Sequence, residues 1–412
     1  MPVPNWSDGT ADDSHSGMKP NGNPEKARNS VTPAEAGAAM IMGRRSVCTD
    51  SGAALRRSDD VSAAIGISRL ICILGIVFVH GWTGLGGDQM AQQAGSPQDV
   101  MRWIVVELFG RSAVPLLSIV SGWLAAASVT RRGYGAFVRG KLRVILLPML
   151  LWNAIAIVVV CGAGAAGLVR TPLPGGPMWL LDNLINLTRA GDINVQMAFM
   201  RDLFLCMLAA PLLARLSDRR LAAIMLATAV WMIGAWEVPI LLRPSILTFF
   251  VLGMLVRRHD LAGRLGALPF WQALLPFLLV VPAKVLLSIR SAALGAYHVH
   301  LLAAVDLGLR AAAALLAWRS AMALVGHAIG GRMLGLERYA FFLFASHLIF
   351  MWLLGPAIGD HLTGPMGHPS WPAYFLLQPL LALGFAVGLA RVIEAVSPAA
   401  ARALSGGRLA RL

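Results

Sequence analysis

The stretch Ser68–Trp82, SRLICILGIVFVHGW, is an apolar run that would read as a plain membrane helix but for Arg69 near one end and His80 near the other. An α-helix turns 100° and rises 1.5 Å per residue, so the steps from Arg69 to His80 bring both side chains to within roughly 20° of one face, about 16 Å apart. Placing a charge in hydrocarbon costs ~2.5 kcal/mol or more. Two such groups on one stripe point to one elongated ligand. Read singly, Arg69 snorkels to headgroup phosphates and His80 is an interfacial residue beside Trp82.

The rest of the chain fixes the surroundings of that helix. Of 412 residues, 57% are hydrophobic and only 14% charged, against about 25% charged in soluble domains. This is the composition of an all-α, polytopic integral membrane protein. The formal charge of +14 does not indicate nucleic-acid binding, because the basic residues fall in short clusters between apolar runs, where they set membrane orientation. Cys48, Cys72, Cys161 and Cys206 have no paired spacing, and His298, His300, His361 and His368 have no ligand spacing. No metal site and no disulfide framework are expected.

Residues 1–60 are rich in Ser, Asp, Asn, Gly and Pro and too poor in apolar residues to build a core, which predicts a disordered cytoplasmic tail. Residues 61–396 form the transmembrane domain, and residues 397–412 a short basic cytoplasmic tail. At about 20 residues per crossing, ten spans are expected, near 62–82, 104–127, 142–165, 199–216, 221–240, 245–257, 269–288, 300–318, 339–358 and 372–394. With the amino terminus inside, the inner connectors hold 14 basic residues and the outer ones seven. That bias puts both termini in the cytoplasm, in the inner membrane of the cell. The largest outer loop, 166–198, carries TPLPGGPMW and RAGDINVQ, turn-rich and polar enough to form a lid.

Several segments resemble the integral-membrane acyltransferase family 3, whose members O-acylate cell-surface glycans. Arg69, ten intervening residues and His80 match its Arg-x10-His signature. FGRSAVPLLSIVSGWL resembles its second-helix segment, ending here in Ser121 and Gly122, and FVRGKLRVILLPMLLW the third, with Arg139, Lys141, Arg143, Pro148 and Trp152. MAFMRDLFLCMLAAPLL resembles the fourth, with Arg201, Asp202 and Pro211; LTFFVLGMLVRR and ERYAFFLFASHLIFMW, the latter holding His347, resemble later ones. The resemblance runs from about residue 62 to 396. Two positions depart from the pattern: Ala198 stands where many members have Trp, and Phe344 where many have Tyr.

The resemblance implies transfer of an acyl group, acetyl or succinyl, from cytoplasmic acyl-CoA to a hydroxyl of an extracytoplasmic glycan or lipid-linked saccharide, with no tightly bound cofactor. The chemistry of the residues agrees. The pantetheine arm of acyl-CoA is comparable in length to the distance from Arg69 to His80. Arg69, Arg139, Lys141 and Arg143 would hold phosphates; Arg131 and Arg132 read first as topology signals. An imidazole can take a hydroxyl proton at neutral pH and pass it to a leaving thiolate, or attack the thioester itself. Ser121, Arg201, Asp202 and His347 are candidate substrate contacts. Ser121 could also act as a covalent relay, though Ser-Gly in a membrane helix is more often a close-packing contact, and His347 reads equally as a structural histidine. Asp306 with Arg310, and Glu107 with Arg111, are spaced as intrahelical ion pairs, while Lys284 has no local partner. A transporter or flippase of a lipid-linked glycan would also explain many spans and an intramembrane Arg and His, though no internal repeat is evident.

Overall fold

The computed structural model describes residues 58–129, 133–188, 193–236, 240–289 and 294–409. Residues 1–57 of the expected tail, together with Arg131 and Arg132, lie outside the described residues, whereas Ser58–Asp60 already belong to the first helix. Among the described residues every regular element is helical.

In chain order the main helices are α1 (Ser58–Val79), α2 (Pro97–Val129), α3 (Tyr134–Ala165), α4 (Pro177–Ile185), α5 (Met197–Leu213), α6 (Asp218–Ile233) and α7 (Pro244–Arg258). They are followed by α8 (Phe270–Ile289), α9 (Tyr297–Leu324), α10 (Ala328–Glu337), α11 (Ala340–Thr363), α12 (Trp371–Val396) and α13 (Pro398–Ser405). Starts follow local chemistry. Ser96 and Ser397 accept from the backbone N–H three residues on, and proline occupies the first helical position of α2, α4, α7 and α13, where its missing N–H costs nothing.

Each of the ten expected spans has its helix, but not ten helices of spanning length. Among the described residues seven are long and apolar enough to cross a membrane: α1, α2, α3, α8, α9, α11 and α12. The helices α5, α6 and α7, at 17, 16 and 15 residues, are shorter; at 1.5 Å per residue they extend about 25 Å, less than the ~30 Å hydrocarbon layer. Apolar runs report composition, whereas polar starts at Ser217–Asp218 and Arg243–Pro244 cut the helices short.

Burial sorts the helices. Two-thirds of the apolar window of α11 (67%) and 61% of that of α1 are buried, against 11% for α8 and 22% for α9. The helices α1 and α11 are therefore the interior pair, and α8 turns Leu278, Leu279, Leu286 and Ile289 outward as a lipid-facing surface. Since lipid tails are as apolar as leucine, helices here are joined by close packing of small residues. The crossing of α2 and α7 shows it: a Cβ on Gly122 would lie 1.9 Å from the Phe250 carbonyl oxygen, and one on Gly253 2.0 Å from that of Ile119. Gly122 is thus the packing residue, with Ser121 beside it half-buried.

The carboxy-terminal segment is not a loose tail up to residue 409. Trp152 of α3 donates its indole N–H to the Leu404 carbonyl at 3.0 Å, and the Arg408 guanidinium lies 4.4 Å from the centre of the Phe341 ring. Apolar Leu404 and Leu409 are buried beneath it.

Candidate active site

His80 stands one residue beyond the regular end of α1, in a tight turn whose N–H donates to Val77 at 3.1 Å. The sequence expectation had the helix continuing to Trp82. A buried amide decides otherwise: Gln378 of α12 accepts from the Trp82 N–H at 2.7 Å and donates to the Trp82 carbonyl at 3.0 Å, while Trp371 donates to the same carbonyl at 3.3 Å. This clamp turns the chain out of helix and fixes the histidine just before it. Gln378→Leu removes this acceptor from the Trp82 N–H and is expected to cost about 1–3 kcal/mol. That loss would read as a lower unfolding midpoint of the detergent-solubilised protein; an unmoved midpoint would dismiss the clamp.

His347 lies in the middle of α11 and is fully buried. Its Nδ1 is 3.1 Å from the Leu343 carbonyl oxygen and 2.9 Å from that of Phe344. Both are acceptors, so Nδ1 carries the proton and donates, which leaves Nε2 with its lone pair. That Nε2 is buried without a hydrogen-bond partner. The His80 and His347 rings face each other with centroids 5.5 Å apart and planes at 41°. Phe344, backed by Phe199 at 5.9 Å, contacts the His347 ring at 6.3 Å.

The expected lid is knitted to this pair by amides. Asn153 of α3 donates to the Leu184 carbonyl at 2.8 Å and to Asn186 at 3.0 Å, Asn194 donates to Asn153 at 3.0 Å, and Gln196 donates to Asn194 at 2.5 Å. Gln196 also reaches the Phe344 and Ala345 carbonyls at 3.4 and 3.5 Å, and its own Oε1 is buried without a partner. Asp182 accepts from the Thr188 N–H and hydroxyl at 2.7 and 2.6 Å, and Trp352 donates to Ile193 at 3.1 Å. An unmet acceptor on Gln196 and another on His347 are both costly in a buried site.

Arg201 and Asp202 meet at 2.7 Å, and the carboxylate is fully buried. Asp202 accepts from the backbone N–H groups of Leu242 and Arg243 at 3.3 and 2.8 Å, and Arg201 donates to the Ile240 carbonyl at 3.1 Å. The pair fixes the turn that starts α7 and so sets the position of Arg243.

Among the other ionisable residues, Arg111 and Glu107 form the expected pair at 3.0 Å, beside a π-helical stretch of α2 at Ile104–Gly110. Lys284, without a local partner, finds distant ones, Asp306 at 2.5 Å and Glu107 at 3.5 Å, so that the close contact of Asp306 is to this lysine of α8 while Arg310 feels Asp306 from farther away. Helix-to-helix geometry, invisible in sequence spacing, sets the close contact.

Arg69 sits three turns back along α1 and pairs with Glu337 of α10 at 3.0 Å, both side chains about one-third exposed (35% and 29%). Arg139 and Arg143 are exposed near the start of α3, and the Lys141 ammonium lies 5.1 Å from the Phe137 ring centre. The structure thus brings His80 to His347 and Arg201 to Asp202; Arg69, Ser121 and the α3 basic residues stand apart from the histidine contact. Sequence reading passed over Gln378, Asn153 and Gln196, although an amide inside LLWNAIAIV or FLLQPLLAL is itself a polar group out of place in an apolar run.

Comparison with known proteins adds to this geometry. A family model described as an acyltransferase domain matches residues 62–391. The succinoglycan biosynthesis protein ExoH of Rhizobium meliloti (strain 1021) is 27% identical over 375 residues, covering 85% of this chain and 93% of its own length. No solved structure matches.

Proposed function

This chain belongs to the integral-membrane acyltransferase family, and from that premise we propose that it moves an acyl group from cytoplasmic acyl-CoA to a hydroxyl of an extracytoplasmic polysaccharide or lipid-linked saccharide. The similarity to a succinoglycan biosynthesis protein supports a polysaccharide acceptor. The observation that carries the reading is the meeting of His80 with His347, whose Nε2 is a buried acceptor without a partner. A hydroxyl entering there would supply the missing donor.

In this mechanism His80 is the general base. Its free ring nitrogen takes the hydroxyl proton as the hydroxyl oxygen attacks the thioester carbonyl carbon; the C–S bond breaks, the ester forms, and the proton passes to the departing thiolate. The His347 Nε2 accepts a hydrogen bond that orients the incoming group, and Gln378 and Gln196 are positioning residues. Arg69 contacts the donor from the inner side, while Arg139, Lys141 and Arg143 meet its phosphates as forks and a point charge. The protein lies in the inner membrane with both termini cytoplasmic, so that the donor enters from one side and the acceptor from the other.

Purified protein in detergent is expected to consume acyl-CoA only when a hydroxyl acceptor is present. The joint change Lys141→Gln with Arg143→Gln should raise the KM for acyl-CoA about threefold to tenfold and lower kcat less than about twofold, because ground-state phosphate contacts act on binding. An absence of thioester consumption under any acceptor would sink the transferase reading. An unchanged KM would leave those two residues as topology signals.

A further inference from the structure

Beside the histidine pair, a cavity of about 370 Å³ opens between the lid, the start of α7 and α9, lined by Asn186, Thr188, Ala198, Arg243, Ser245 and Arg310. Resting on the transferase reading, we propose that this cavity is a subsite for an anionic group, a carboxylate or a phosphate, carried by one of the two substrates.

Arg310 is the first reason. It is an arginine on an apolar helix, and the carboxylate one turn before it, Asp306, is held by Lys284. Among the described residues Asp306 and Glu107 attract Arg310 and Arg111 repels it, all without a close ion pair or hydrogen bond to its guanidinium. An ionisable residue on an apolar, membrane-spanning helix marks a candidate functional site. Arg243 is the second reason. The Arg201–Asp202 brace holds its backbone and sets it on the cavity wall directly before Pro244, so that the amino terminus of the 15-residue α7 also faces the cavity. A helix start adds positive potential to that of two arginines. The Arg310 guanidinium on the cavity wall has the fixed fork of donors that suits carboxylate or phosphate oxygens.

The cavity also adjoins the reacting centre. Its wall includes Val195 and Ala198, which flank Gln196, and Gln196 donates to the Phe344 and Ala345 carbonyls just before His347. A volume near 370 Å³ is of the order of a small-ligand pocket, and the small side chain of Ala198 leaves it open.

The test uses the full chain purified in detergent, with succinate and inorganic phosphate as probes and dimethyl succinate as the neutral control. At least one anion should raise the unfolding midpoint saturably, and the neutral diester should not. Arg310→Gln should weaken that anion's binding about tenfold to a hundredfold, the worth of charge-assisted hydrogen bonds. Arg310→Lys, which keeps the charge and loses the fork, should fall between and serves as the readout if the Gln variant does not fold. Kinetics then tell the sources apart: KM in the variant rises for succinyl-CoA but not acetyl-CoA if the anion is the donor's acyl carboxylate, for both donors alike if it is a donor phosphate, and for acidic but not neutral acceptor saccharides if the acceptor brings it. Binding of neither anion to the wild type, or equal binding to wild type and variants, overturns the subsite. Failure of the transferase reading looks different, with anions bound at the cavity but no thioester consumed.

Discussion

Acyl transfer by the His80→Ala variant is expected to fall by about 10²- to 10⁴-fold, the usual loss when a general acid–base is removed. The protein should insert and purify as before, because the His80 ring, though largely buried, caps no helix hydrogen bond. Donor KM should stay near its wild-type value, since the imidazole acts on the reacting centre and not on the nucleotide. Arg69→Ala should instead raise donor KM, and also release Glu337 from its ion pair. The comparison to make is initial rate against acyl-CoA concentration for each variant at equal amounts of monodisperse protein. Near wild-type transfer by His80→Ala would move the catalytic role elsewhere, with His347 the next residue to examine.

The largest structural effect is expected at the crossing of α2 and α7. Gly253→Ala would set a methyl carbon 2.0 Å from the Ile119 carbonyl oxygen, and Gly122→Ala one 1.9 Å from that of Phe250. Those neighbours are backbone atoms of packed helices and cannot swing aside, so the helices must part along their shared face. Overpacking of this kind costs about 1–3 kcal/mol and more when backbone must move. Either variant should give little monodisperse protein on gel filtration and a lowered unfolding midpoint. Gly384→Ala in α12 is the control: a Cβ there meets nothing within 4 Å, and alanine is the better helix former by about 1 kcal/mol. Equal behaviour of Gly253→Ala and Gly384→Ala would mean that the crossing is not what holds these helices together.

Much of the fold is legible in hydropathy, because a helix that satisfies its own backbone is the economical way to carry an apolar run through a bilayer. Helices form at all ten expected positions, with Arg69 on the first of them and His80 in the turn just past its end. Which runs are long enough to span was less legible, since composition blurs the polar starts at Asp218 and Pro244 that shorten α6 and α7. Intrahelical spacing identified Glu107 with Arg111 correctly. It was incomplete for Asp306, which acts on Arg310 along its own helix but makes its close contact with a lysine of the neighbouring one.

The sequence by itself determined the helical class, the membrane setting and the attachment of an arginine and a histidine to one apolar run, all properties of periodicity and of the cost of charge in hydrocarbon. Only the tertiary structure decided that His347 meets His80, that Gln378 ends α1 at the histidine, and that Arg310 is left facing a cavity. These depend on contacts between segments far apart in the chain, and local spacing carries no information about which distant helix will lie alongside.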